Sequence, residues 1–221
     1  MPRSPVAVLA CLLLITGAPS ARTDDGATLS ADTGWQRVDD KDGITLYSRT
    51  RVGSSVKEFK GTGLIGAAPV TVEKVLEDVP NYTAFMPYVS EARVISQSGD
   101  ETVTYQRLTV PFVSNRDYTV RVEHGTAKGP AGTVYYRDTW QTDNEAGPPE
   151  QHGLVRVKVN EGSWLLEPVG AASDSTQATY QIYTDSGGTL PAFLANRASQ
   201  MAIPKLFDAI RKQARDPKYQ H

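Results

Sequence analysis

Residues capable of acid–base or nucleophilic chemistry are few and widely spaced in this sequence. The histidines are His124, His152 and His221, and the single cysteine is Cys11. No two histidines stand about three to five residues apart, as zinc ligands often do, and no serine lies in a G-x-S-x-G sequence. The residue types therefore predict a protein that is not an enzyme and has neither a metal ion nor a cofactor.

Aromatic residues, by contrast, are abundant. The chain has 221 residues, including 10 tyrosines, 5 phenylalanines and 3 tryptophans. The hydrophobic set makes up 39% and charged residues 22%, which predicts one folded domain rather than a disordered chain. Lys+Arg 23 against Asp+Glu 25 gives a net charge of -2, which disfavours nucleic-acid binding. The aromatic residues therefore call for a role other than catalysis, such as lining a pocket.

The first 21 residues have the pattern of a secretory signal peptide. Arg3 precedes an apolar run from Val6 to Ile15, and small residues follow as far as Ala21. The apolar run is shorter than the ~20 residues needed to span a bilayer. We expect cleavage within residues 18–21 and export to the periplasm or the medium, with Cys11 removed. An uncleaved anchor and a lipoprotein at Cys11 are the alternatives.

Alternating apolar and polar residues predict a largely antiparallel sheet. Tyr118, Val120 and Val122 lie on one face of a strand whose other face is polar, which is typical of a sheet covered on one side only. The strands are predicted at residues 44–52, 56–65, 91–97, 101–110, 116–124, 133–141, 154–160 with 163–167, and 176–184.

Two segments have helical periodicity. Residues 69–78 begin with Pro69, and residues 189–214 carry apolar residues mostly three or four apart. Pro204 interrupts the longer helix and predicts a kink there. The fold class is therefore α+β, with a sheet covered by the last helix. The boundaries expected are a signal peptide at 1–21, a linker at 22–34, the domain at 35–214 and a tail at 215–221.

Six sequence segments resemble the START (StAR-related lipid-transfer) family in order over residues 35–214. The Arg116-Asp117 pair and the GGTLP run before the last helix are the most specific of them. The segments are Asp42-Gly43-Ile44 after Trp35, KEFKG at 57–61, YTAFMP at 82–87, NRDY at 115–118, GSW at 162–164 and DSGGTLPAFLAN at 185–196.

The resemblance implies the helix-grip fold, in which a curved antiparallel sheet wraps around a long C-terminal helix and encloses a tunnel. It implies binding and transport of a hydrophobic ligand such as a lipid, with transient membrane contact, no nucleic acid, and a monomer. An enzyme of the same superfold, a cyclase or hydrolase, is the alternative, and a carboxylate or histidine facing the cavity would favour it. Some sterol-binding members bury an acid and an arginine in the tunnel, but Val122 occupies the arginine's position here and no acid lies at residues 103–105. The tunnel is therefore expected to be more apolar, or to take polar contacts from elsewhere.

The expected ligand-binding residues lie on the inward strand faces, in the aromatic corner at 81–88 and on the last helix. Ordinary core packing is the alternative for each of them. The Arg116-Asp117 pair is expected to fix the sheet as a strand-edge ion pair or a turn cap, with contact to a ligand head group as the alternative. Pro204 with Gly187-Gly188 is expected to form a gate. The ten ligand-binding candidates are Phe85, Met86, Tyr105, Tyr118, Val122, Tyr136, Trp164, Tyr180, Phe193 and Met201.

Overall fold

The computed structural model describes residues 34–111, 113–129 and 132–220, and a single ten-stranded sheet dominates this part of the chain. The predicted signal peptide and all but the end of the predicted linker lie outside these residues. In chain order the elements are β1 (Gln36–Lys41), β2 (Ile44–Thr50), β3 (Lys57–Ile65), α1 (Pro69–Glu77), α2 (Tyr82–Phe85), β4 (Val89–Ser98), β5 (Glu101–Leu108), β6 (Arg116–Lys128), β7 (Val134–Thr142), β8 (Val155–Arg156), β9 (Val159–Val169), β10 (Ser175–Asp185) and α3 (Ala192–Gln213).

The strands follow the order β1-β2-β3-β10-β9-β7-β6-β5-β4, and every neighbouring pair on this path is antiparallel. Strand β8 pairs with β6 in parallel, beside this path. Pairing of β3 with β10 joins the first three strands to the later ones, so residues more than a hundred positions apart share one sheet. The helix-grip α+β fold expected from the sequence is confirmed.

The segment predicted as one strand at 154–160 is split in the structure. The amide of Val157 donates to the carbonyl of Asp117, whereas the amide of Lys158 donates to the carbonyl of Asp185. The backbone therefore changes partner, from β6 to β10, between two adjacent residues. Apolar alternation through Val155, Val157 and Val159 concealed this change, because periodicity carries no information about strand partners.

Helix α3 packs on β3 at Gly61, which has no side chain. A Cβ at Gly61 would lie 2.6 Å from the Ile203 Cγ2 atom and 3.3 Å from the ring of Phe207. Ile203, Phe207 and Ile210 are buried in the main core. Pro204 lies inside the helix, where it cannot donate a backbone hydrogen bond. No described helix is long and apolar enough to cross a membrane.

Part of the segment predicted as a tail at 215–221 packs against the domain. Residues Pro217–Tyr219 form a 3₁₀ turn, and Tyr219 is only 3% exposed. Its hydroxyl donates to an Asp78 carboxylate oxygen over 2.6 Å and accepts from the Gln213 amide over 3.1 Å. An aromatic ring buried in this way ties the chain end to the segment that follows α1. Periodicity missed it because the segment is too short to show any.

Candidate functional site

A cavity of about 370 Å³ lies between the sheet, the segment from α1 to β4, and α3. Strands β4 to β7, β9 and β10 contribute the sheet side. Ser199, Ala202, Ile203 and Leu206 contribute the α3 side, one helical stripe at three- and four-residue spacing. Helix α3 approaches β3 closely at Gly61, and on the later side its Phe207 ring lies 5.4 Å from the Trp164 ring of β9, measured between centroids.

Three aromatic rings in contact form one wall of the cavity. The ring of Tyr180 lies 4.6 Å from that of Trp164 and 5.8 Å from that of Trp140, measured between centroids. The Trp140 indole donates to the Asn160 side-chain oxygen over 2.9 Å. Burial raises the pKa of Tyr180 far above its usual value, so its hydroxyl stays neutral. The wall is a broad apolar surface with polar groups at its edge.

Tyr118 brings a second neutral hydroxyl to the cavity from β6. Burial raises the pKa of Tyr118 to about 12, and its hydroxyl donates to the Gln106 side-chain oxygen over 3.0 Å. Gln106 lines the same cavity from β5. A ligand hydroxyl, ester or headgroup could exchange hydrogen bonds with this pair without any change in protein charge.

Half of the ten candidate residues line the cavity. The structure brings Met86, Tyr118, Val122, Trp164 and Tyr180 together there. Their role in ligand binding remains a prediction. They share the inward face of a strand or, in the case of Met86, the corner after α2.

The other five candidates lie elsewhere. Phe85 and Tyr136 pack against the main core beside the cavity. Tyr105 is fully buried, but Thr104 and Gln106 line the cavity, so strand alternation turns Tyr105 to the opposite face. There its hydroxyl donates to the Asp117 carboxylate over 3.2 Å.

Phe193 and Met201 do not line the cavity, contrary to expectation. Phe193 is 70% exposed and Met201 is 53% exposed. Two residues turn a helix by about 200°, so Met201 points away when Ile203 points inward. Phe193 lies in the first turn of α3, ahead of the residues that reach the cavity. The apolar residues of α3 lie on two sides of the helix, so their spacing did not determine which side is buried. Only packing against the sheet determines it.

Asp117 forms the expected structural ion pair, but with a different arginine. Its two carboxylate oxygens accept from the Arg156 guanidinium over 2.8 and 3.1 Å. Arg116 is buried and donates to the carbonyl of Ser114, and burial lowers the pKa of its guanidinium. The adjacent residues of the motif point to opposite sides of β6, which prevents them from pairing with each other.

A charged cluster at one end of the cavity was not predicted. His124 and Asp138 line the cavity, and the His124 Nδ1 atom lies 2.9 Å from Asp138 Oδ1 and 3.7 Å from Glu73 Oε1. The hydrogen bond to Asp138, and then the nearby Glu73 carboxylate, raise the pKa of His124. Burial in turn raises the pKa of Glu73, which is only 6% exposed.

The three cluster residues are separated by 51 and 14 positions, so no motif joins them. One signal was present for Glu73. It stands four residues after Pro69 and three before Leu76, on the face of α1 that also carries the buried Val72. For His124, the strand predicted at 116–124 placed it on the same face as Tyr118, Val120 and Val122.

The corner after α2 meets α3 at the edge of the cavity. Tyr88 lines the cavity, and its hydroxyl accepts a hydrogen bond of 2.7 Å from the Lys205 ammonium. Tyr88 has a φ of 66°, a left-handed conformation that costs a residue with a side chain about 1 kcal/mol. The contact therefore fastens a strained corner to the C-terminal helix.

A curved sheet that wraps around a helix and encloses a mainly apolar cavity with a few polar groups defines the helix-grip class of ligand-binding domains. The chain belongs to the family described as "Polyketide cyclase / dehydrase and lipid transport", whose profile matches residues 65–211. The START resemblance is confirmed by solved structures. A STAR-related lipid transfer protein fragment from Xanthomonas axonopodis superimposes with a TM-score of 0.73 at 28% identity, covering 83% of this chain and 99% of the fragment.

Two sequence relatives extend the comparison. An uncharacterized protein of Pseudomonas aeruginosa is 33% identical over 175 residues, covering 77% of this chain and 81% of that protein. Phosphatidylcholine transfer protein of Mus musculus is 27% identical over 172 residues, covering 77% and 78%. An aromatase/cyclase from Streptomyces, at 16% identity and a TM-score of 0.50 over 71% of this chain and 92% of that one, shares the fold alone.

Proposed function

We propose that the protein binds one lipid in the cavity and carries it through an aqueous compartment. The observation that carries this proposal is the cavity of about 370 Å³ with its wall of three aromatic rings. Transfer of apolar surface from water gains about 25 cal/mol per Å². An acyl chain that buries several hundred Å² therefore gains on the order of 5–10 kcal/mol before the costs of ordering it.

Phospholipid is the class of lipid to test first. The names of the similar proteins support this choice, since one is a phosphatidylcholine transfer protein and another a STAR-related lipid transfer protein. Val122 supports a ligand other than a sterol, because it presents an apolar side chain where sterol-binding members are expected to have arginine. The polar contacts are drawn from elsewhere: from Tyr118 with Gln106, and from the cluster around His124.

Filling the cavity from α3 tests the proposal directly. Ala202 lines the cavity, so Ala202→Trp should abolish uptake of a fluorescent phospholipid from vesicles, because the indole occupies the ligand's volume. Ala198→Trp, at an exposed position of the same helix, should leave uptake unchanged. Native mass spectrometry of the purified protein should find a lipid in the wild type and in the Ala198→Trp variant only. Uptake by a folded Ala202→Trp variant at the wild-type level would exclude this cavity as the site.

We propose that the carrier is exported and monomeric, and that it contacts membranes only transiently while it exchanges lipid. The basic, apolar and small residues of positions 1–21 support export. Amino-terminal sequencing of the protein from its own host should find a start between residues 19 and 22. Light scattering should give the mass of one chain, and a dimer would contradict the proposal.

Catalysis on an apolar substrate is the second candidate function. One observation favours it, namely that His124 and Asp138 face the cavity in hydrogen-bond contact. A carrier returns its ligand unchanged, whereas an enzyme alters the ligand's mass. Mass spectrometry of lipids recovered after incubation separates the two functions, and a change in mass that disappears in a His124→Gln variant would favour the enzyme.

A further inference from the structure

The cluster at the end of the cavity gathers three metal-binding side chains from three elements. Glu73 comes from α1, His124 from β6 and Asp138 from β7. Their donor atoms all lie within 4.8 Å of one another. Imidazole nitrogen and carboxylate oxygen are both ligands that Zn²⁺ accepts. Four ligands at about 2.0–2.1 Å in a tetrahedron stand about 3.3 Å apart. The observed separations of 2.9 and 3.7 Å from His124 Nδ1 lie on either side of that value.

The surroundings of the cluster favour the same interpretation. The other ring nitrogen of His124, Nε2, lies 3.2 Å from the Thr102 hydroxyl oxygen. When a metal ion replaces the proton on Nδ1, Nε2 keeps its own proton and donates it to Thr102, and ligating histidines are usually held in this way. Thr102 is itself buried in β5 and lines the cavity, so the ring is held from behind.

Glu73 supplies an independent observation. It is more than nine-tenths buried, and its Oε2 atom has no hydrogen-bond partner among the described residues. An unpartnered buried carboxylate oxygen is costly. A divalent cation bound within the cluster gives this carboxylate a partner.

We propose that Glu73, His124 and Asp138 bind a divalent first-row metal ion, Zn²⁺ in preference, at the end of the cavity. Because His124 and Asp138 line the cavity, the position left open on the ion faces it. Water or an oxygen of the cavity's occupant is the expected fourth ligand. The site does not depend on lipid as the ligand, so the proposed function and the metal site stand or fall separately.

Metal titration of the whole purified protein, stripped with a chelator, tests the site. Co²⁺ serves as the visible probe and Zn²⁺ as its competitor. We expect one Co²⁺ per chain, with the absorption bands of a four- or five-coordinate ion, displaced by Zn²⁺. Glu73→Gln and His124→Gln should weaken binding by more than about tenfold, and Thr102→Val, which removes only the supporting hydroxyl, by about tenfold.

Two variants serve as controls. His152→Ala removes an exposed histidine, and Glu77→Gln removes a negative charge close to Glu73 without removing a ligand. Both should bind Co²⁺ as the wild type does. Failure of the wild type to bind one ion per chain would overturn the proposal, as would unchanged affinity in a folded His124→Gln or Thr102→Val variant. Because Thr102→Val keeps all three ligands and the side-chain shape, it decides the question if the ligand variants do not fold.

Discussion

At the scale of single residues, one carboxylate holds the end of the chain in place. Asp78 accepts hydrogen bonds from the Lys218 ammonium over 2.5 Å, the Tyr219 hydroxyl over 2.6 Å and the Asn81 amide over 2.7 Å. Burial opposes its negative charge, but these three donors outweigh burial and lower the pKa of Asp78 below its usual 3.8. The ionised form therefore stabilises the folded state.

The stability of the protein should depend on pH through Asp78. A carboxylate whose pKa is lowered by folding contributes its full stabilisation above about pH 3.8 and loses it as the pH falls through the folded value. Asp78→Asn should lower the free energy of unfolding by about 1 kcal/mol near neutral pH. Urea unfolding at a series of pH values should show that this difference shrinks on acidification. A difference independent of pH would contradict this role for the charge.

Most of the residues that the sequence predicted correctly for the cavity wall share a single property. Tyr118, Val122 and Tyr180 each alternate with polar neighbours on a regular strand, and alternation determines the face of a side chain. Trp164 has a polar neighbour on one side only, Ser163. Glu73 and Asp138 were missed because burial of a carboxylate depends on a partner from another element. His124 stands at the end of the predicted strand, where the pattern fits a side chain that faces the cavity and one that faces solvent. Only the pairing of β6 with β7 brings Asp138 to it.

At the scale of elements, α3 packs closely on β3 because Gly61 has no side chain at the contact. Gly61→Ala should cost about 1–3 kcal/mol of unfolding free energy, because the new methyl group would lie 2.6 Å from Ile203 Cγ2 in a closely packed core. Gly66→Ala is the matched control, since nothing lies within 4 Å of a Cβ there, and it should be neutral or stabilise by up to about 1 kcal/mol. Chemical denaturation of both variants compares them. Equal stabilities would show that the helix does not depend on the glycine.

The positions of the helices and strands were largely predictable from the sequence. Which side of each element is buried was not always predictable. Strong alternation predicted β2, β3, β5, β6 and β10 to within a few residues, and Pro69 at the first helical position predicted the start of α1. Helix α3 was correct in extent, yet its N-terminal half presents Phe193 and Met201 to solvent. Its apolar residues cover more of the circumference than one sheet can bury. The sequence therefore contained a helix with two apolar sides, and tertiary contact selected between them.

At the scale of the whole molecule, the cavity needs an opening if a lipid is to enter. Both glycines of the predicted gate, Gly187 and Gly188, have a φ of 67°, a left-handed conformation that glycine adopts without strain. A Cβ at Gly187 would lie 2.7 Å from the carbonyl oxygen of Arg156, so the turn is packed against β8. The gate formed by this turn and Pro204 remains a prediction. The contact between Tyr88 and Lys205 offers a more direct way to test how the cavity opens.

Tyr88→Phe should speed lipid exchange. The substitution keeps the ring that lines the cavity and removes the hydroxyl that accepts from Lys205 over 2.7 Å, which is one bond between the strained corner and α3. Loss of about 1 kcal/mol from the closed state raises the population of the open state about fivefold. Stopped-flow transfer of a fluorescent phospholipid between vesicles should show entry and release both accelerated to that extent, with the ratio of the two rates unchanged.

Tyr47→Phe removes a hydroxyl from β2, away from the cavity, and should leave both rates at their wild-type values. If Tyr88→Phe instead changed the equilibrium affinity, so that the ratio of the entry and release rates changed with it, the corner would belong to the binding surface. The opening would then lie elsewhere.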